Sequence, residues 1–255
     1  MVLFQDSTPS GYVSYGSYVG IFYEGFIMIV LMILLISLYR IYRVSKLRIT
    51  LDLFLGFLLY LFGIFFAWLG KIYLWRHLES ALEGPYLLQL IYKFKFSGAC
   101  VVVGNFFILR FFMELFDLNL TKKKQIVLII IKVIEVFIIL TIHIPAYLER
   151  SSDIAYNTDA IAFLMMCMDS LFSIPFGIKC FKSVRKEDFG NKYLHFGFMA
   201  FLLVNMCLMF VLDRITMIMG MSGPFEEPGY TPFYFAGWAS SILATIFAIY
   251  GSVLK

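Results

Sequence analysis

The chain has 255 residues, of which 61% are hydrophobic and only 15% charged, and its net charge is +4. Its mean hydropathy is +0.86. Soluble domains are nearer a quarter charged, so composition excludes a water-dispersed enzyme or nucleic-acid-binding protein. The expected fold is a single all-α polytopic membrane domain over residues 1–255, a seven-transmembrane-helix bundle with the lipid bilayer as its solvent. The 29 Phe, 16 Tyr and 3 Trp suit a lipid-facing surface with two interfaces.

The N-terminal stretch before Tyr18 has no basic n-region, so the first helix is expected to be retained and to act as its own insertion signal. The apolar segments then read in order as 18–39, 51–75, 87–116, 126–147, 159–181, 193–219 and 233–254. Each exceeds or meets the run of about 20 residues needed to cross a bilayer. The third has Lys93 and Lys95 at one end and Arg110 and Glu114 at the other, so its lipid-depth part narrows to 96–109 with snorkelling ends. Pro175 falls inside the fifth and removes a donor from the ladder to the Leu171 carbonyl.

Basic residues collect on one side of these spans. Arg40, Arg43, Lys46, Arg48, Arg110, Lys122, Lys123 and Lys124 lie there, with Lys179, Lys182, Arg185, Lys186, Lys192 and Lys255. The other side holds Lys71, Arg76, Lys93, Lys95, Arg150 and Arg214. The asymmetry predicts an outside N-terminus and a cytoplasmic C-terminus, in the cell membrane. The sequon at Asn119 then lies on the cytoplasmic side and is inert. The chain ends one residue beyond the last span, and no effector domain is expected after it. Cys100, Cys167, Cys180 and Cys207 are read as buried small hydrophobes.

A weak internal repeat runs through the chain. The spacing of Arg40, Arg43 and Lys46 returns as Lys179, Lys182 and Arg185; Lys71 is matched by Arg214, and Glu83-Gly-Pro-Tyr86 by Glu227-Pro-Gly-Tyr230. Either helices 1–3 and 5–7 form a 3+1+3 parallel repeat, or short loops between apolar helices simply look alike.

The polar residues at mid-depth are the candidate binding residues: Asp169, Glu135, Lys132, Asn105, Asn205, Asp213 and His143. Glu135 lies ~14 Å into its helix and Asp169 ~15 Å. A carboxylate at that depth costs about 2.5–3.5 kcal/mol on insertion scales, so it is expected to face the bundle interior. Lys132, Glu135, Ile139 and His143 share one helix face, and Lys132 can pair with Glu135. Asn205, Met209, Asp213 and Thr216 form a second such stripe. Asp169 has no base within a turn, so it must find a partner on another helix or be protonated.

Several seven-helix functions are argued against. Retinal chemistry needs a lysine in the body of helix seven, which has none before Lys255. The chain resembles G-protein-coupled receptors in helix count and orientation alone, lacking Asp-Arg-Tyr after helix three and Asn-Pro in helix seven. A ceramidase-like zinc site needs converging histidines, whereas His77 and His143 lie a bilayer away from His195; an outer pair with Glu79 or Glu149 is what remains. Three-plus-one-plus-three sugar carriers share the topology, but the chain has no Pro-Gln dipeptide. No cofactor motif, metal site or catalytic residue emerges. Three functions stay open: a sensor or receptor-like module with a midplane polar site and a small-molecule ligand, a small-solute or proton-coupled transporter, and a structural subunit of a membrane complex. The basic loops would meet anionic lipid or a cytoplasmic protein.

Overall fold

A computed structural model describes residues 15–76, 95–118, 122–142, 144, 164–165, 167–184, 190–218 and 231–253. Among them the chain is helical, with no strand. Among the described residues seven helices follow in order: α1 Tyr15–Ser45, α2 Arg48–Arg76, α3 Ser97–Leu115, α4 Lys122–Thr141, α5 Ser173–Val184, α6 Gly190–Ile218 and α7 Pro232–Val253. Five of them, α1, α2, α3, α6 and α7, are long and apolar enough to cross a membrane, so this is an integral membrane protein. In α4, 20 residues long, Lys132, Glu135 and the three leading lysines dilute the apolar run. α5 has only 12 residues because the expected span is broken ahead of it.

The break has a local cause. The amide of Leu171 donates to the Met168 carbonyl at 3.2 Å, and that of Ile174 donates to the Leu171 carbonyl at 3.1 Å. Pro175 has no N–H for the Leu171 carbonyl, so the amide one residue earlier takes its place in a tighter turn. Pro175 then sits in the first turn of α5, where a missing donor costs nothing.

Helix neighbours run α4–α3–α2–α1–α7–α6–α5. Phe112 of α3 and Phe116, the residue just after that helix, stack on Phe176 of α5, 5.2 and 6.2 Å between centroids, which closes α5 onto α3. The largest core cluster draws on six helices, with Leu38, Phe57, Ile108, Phe112, Met199 and Ala248 fully buried. A second cluster, around Ile27, Ile64, Tyr234 and Trp238, fills the other half of the bundle. Close approach of α2 and α3 depends on Gly56 and Gly104; a Cβ on Gly104 would lie 2.8 Å from the Tyr60 ring and 3.0 Å from the Gly56 carbonyl oxygen.

The surface is the reverse of a soluble protein's. α4 exposes Ile126, Ile130, Val133, Ile134 and Phe137 while burying Lys132, and α1 exposes Phe22, Phe26, Ile29 and Ile33. Apolar faces of that extent require lipid against them. Alternating helix direction gathers the basic segments at one end: Tyr39 of α1 meets Phe54 of α2, and Lys179 of α5 lies 4.3 Å over the Phe116 ring of α3. That basic end also holds the α1–α2 turn, where Lys46 adopts φ 52°. Replacing Lys46 by glycine should stabilise the protein by about 0.5–1 kcal/mol, since a left-handed residue with a Cβ is strained; thermal unfolding in detergent, with Arg43→Gly as a helical control expected to lose stability, checks it.

Lys71 and Arg214, the key positions of the sequence repeat, have side chains outside the described residues, and the Glu83–Tyr86 and Glu227–Tyr230 loops lie outside them altogether.

Candidate polar site at mid-depth

The centres of α2, α3 and α4 carry Tyr60, Asn105 and Lys132, each buried. They meet Asp169, which lies on the helical residues 167–170 just before the Pro175 break. The Tyr60 hydroxyl donates to Asn105 Oδ1. Asn105 Nδ2 donates to Asp169 Oδ2 at 2.9 Å. Lys132 Nζ donates to Asp169 Oδ1 and to Glu135 Oε2 at 2.8 Å. The side chains of Lys132 and Asp169 are 10% and 5% exposed, and that of Glu135 is 25% exposed. The arrangement is a continuous polar chain across four helical segments, and two separate polar contacts lie on the residues flanking Asp169. Ser170 donates to the Cys167 carbonyl at 2.8 Å, and the Cys167 thiol donates to the Cys207 carbonyl of α6 at 3.2 Å.

The order of donors explains the arrangement. The Tyr60 hydroxyl engages the Asn105 oxygen, which orients the amide so that its N–H faces Asp169. The carboxylate of Asp169 therefore receives one amide and one ammonium donor, a charge-assisted pairing of the stronger kind. Glu135, one turn along α4, shares the same ammonium. With both acids ionised, the Asp169–Lys132–Glu135 triad has two negative charges against one positive, a net −1 in a low-dielectric interior.

Of the sequence-derived candidates, the structure thus joins Asp169, Glu135, Lys132 and Asn105. Asn205 and Asp213 go elsewhere. Asn205 Nδ2 donates to Ser240 Oγ of α7 at 2.8 Å, and Ser240 in turn donates to the Ala236 carbonyl. Asp213 Oδ1 accepts from the Thr231 hydroxyl at 2.6 Å and its amide at 3.3 Å. Thr231 precedes Pro232, the first residue of α7, so Asp213 anchors a helix N-terminus where an anion is favoured. Both residues lace α6 to α7, away from the triad. His143, together with His77, Glu79 and Glu149, lies outside the described residues, and among the described residues no His/Cys/Asp/Glu group could hold a metal.

Three polar residues escaped sequence reasoning. Tyr60 is one of 16 tyrosines, and nothing marks it until α2 packs on α3. Glu24, fully buried, accepts from the Tyr234 hydroxyl of α7; its place near the start of the first span reads as interfacial. Asp52, also buried, pairs with Arg110 at 3.3 Å, a contact between two helix ends that adjacency in sequence does not show. No protein-family model, curated protein or solved structure matches this chain.

Proposed function

We propose that this is a sensor-like seven-helix membrane protein whose input site is the Asp169–Lys132–Glu135 triad, with the basic end cytoplasmic and the chain in the cell membrane. One observation carries the reading: a single buried ammonium ties α4 to the break before α5. α4 packs along α3 and is otherwise largely turned to lipid, so the ion pair is a principal constraint on its position. A proton, or a small ligand cation, that neutralises one acid weakens the tie and shifts α4 relative to α3 and α5. A two-state element biased by a local charge change is what a switch requires.

The net negative charge also supports a second reading, proton-coupled transport of a small solute, in which the same acid loads and releases a proton. The test separates the two. Val102 of α3 and Ile139 of α4 pack together, and cysteines placed there report on α4 in a background without native cysteines. Asp169→Asn, or a lowered pH, is expected to change the cross-linking rate several-fold while the variant still folds. Proteoliposomes containing a pH-sensitive dye then show whether proton flux accompanies the movement. Movement without flux supports the sensor, and flux abolished by Asp169→Asn supports the transporter. An unchanged cross-linking rate at every pH and in the variant would assign the triad to packing alone, as in a structural subunit.

A further inference from the structure

Cys167 and Cys207 stand 40 residues apart in the chain, one on the helical residues 167–170 and the other in the middle of α6. The Cys167 thiol donates to the Cys207 carbonyl at 3.2 Å. The two side chains are also hydrogen-bonded to each other, and buried Ser170, one turn on from Cys167, hydrogen-bonds Cys207 as well. Among the described residues, all four cysteines included, this is the one thiol pair in contact. Cys207 is buried and Cys167 half-buried. Leu164 and Leu171, one turn before and after Cys167, are exposed, as is Met168 beside it. The pair is thus approached from the bilayer, whose core excludes water.

We infer that Cys167 and Cys207 are a modification site, oxidised to a disulfide by an organic hydroperoxide dissolved in the bilayer. The Cys207 sulfur, which both neighbours hydrogen-bond, attacks the outer oxygen of the hydroperoxide. The O–O bond breaks, and the departing alkoxide takes the Cys207 proton to leave as an alcohol, with a sulfenic acid formed on Cys207. The Cys167 sulfur then attacks that sulfur. The S–O bond breaks, hydroxide takes the Cys167 proton and leaves as water, and the S–S bond forms. The two thiols together lose two electrons, and the hydroperoxide gains them. With a thiol already in contact, the sulfenic acid closes before a second oxidant arrives, so oxidation stops at a reversible stage. The bridge fastens the residues that carry Asp169 to α6, which Asn205 and Asp213 lace to α7. No step uses Lys132 or Glu135, and the inference stands apart from the sensor reading.

The test uses the full chain in liposomes of saturated phosphatidylcholine, treated with cumene hydroperoxide or with hydrogen peroxide at the same concentration. Remaining thiols are blocked with N-ethylmaleimide after denaturation. Bridged cysteines are then reduced, labelled with isotopically heavy N-ethylmaleimide and mapped by mass spectrometry. Cys167 and Cys207 are expected to carry the heavy label to equal extents, several-fold above Cys100 and Cys180. Cys167→Ser should remove the heavy label from Cys207 and leave there a sulfenic acid that dimedone traps. Heavy label on neither cysteine, on one without the other, or undiminished on Cys207 in Cys167→Ser would each overturn the pair. Should the variant not fold, a disulfide-linked peptide joining Cys167 to Cys207 in the oxidised, unmodified chain decides the pairing, and its absence would overturn it. Cumene hydroperoxide should act several-fold faster than hydrogen peroxide; equal rates would overturn the bilayer as the source of the oxidant.

Discussion

Lys132→Met is expected to destabilise the protein by about 3–5 kcal/mol, the usual result of removing one partner from a buried ion pair. The methionine fills most of the space, so the loss is electrostatic. Asp169 and Glu135 would be left with no cation between them, two negative charges uncompensated in a low-dielectric interior. Asp169→Asn should cost far less, on the order of 1 kcal/mol. It leaves Lys132 paired with Glu135 at zero net charge, and the amide oxygen can still accept from Lys132 or Asn105. The triple variant Lys132→Met, Asp169→Asn, Glu135→Gln should recover most of the stability lost in Lys132→Met, since no charge then remains to be compensated. Equilibrium unfolding in mixed detergent micelles measures all three. If Lys132→Met is no worse than Asp169→Asn, the ammonium does not hold the two acids together, and α4 is positioned by its apolar contacts.

Gly104→Val should cost on the order of 3 kcal/mol, at the upper end for an overpacked contact. Its Cβ alone would approach Tyr60 Cε1 to 2.8 Å and the Gly56 carbonyl oxygen to 3.0 Å. The backbone oxygen cannot swing away, and the Tyr60 ring is held by its bond to Asn105. Separation of α2 from α3 would follow, and with it a break in the polar chain at Tyr60. Small residues at helix contacts are how membrane bundles gain close packing when lipid supplies no hydrophobic drive. Gly25→Ala is the matched control. A Cβ there meets only Trp68 Nε1, at 3.8 Å, so the substitution should be neutral or should gain up to about 1 kcal/mol from helix propensity. Equal losses in the two variants would show that helix-interior glycines matter here for a reason other than proximity.

Much of this protein was determined by sequence alone. The all-helical fold followed from the apolar runs, on which the described helices fall in order, because in lipid a backbone has to satisfy its own hydrogen bonds and a segment of sufficient apolar length has little alternative to a helix. The inward aspect of Asp169 was legible for the same reason: a carboxylate at mid-depth has nowhere else to go, and the absence of a base within a turn pointed to a partner on another helix. Lys132 and Glu135 could be paired from their spacing of three. Tertiary structure decided which helix answered. Asn105 and Asn205 reach similar depths and offer the same amide, yet Asn105 bonds Asp169 while Asn205 faces Ser240, because the packing order of the helices places α3 beside the break and turns α6 toward α7. Likewise Asp213 reads as a mid-membrane acid until Thr231 and the start of α7 come into contact with it. Tyr60, Glu24 and Asp52 carry no local signal, since the pairing of each depends on a residue 45 or more positions away or on another helix end. Depth along a helix is encoded in one dimension, and sequence reports it; which face meets which is set by close contacts such as Gly56 against Gly104, and those exist only once the bundle has formed.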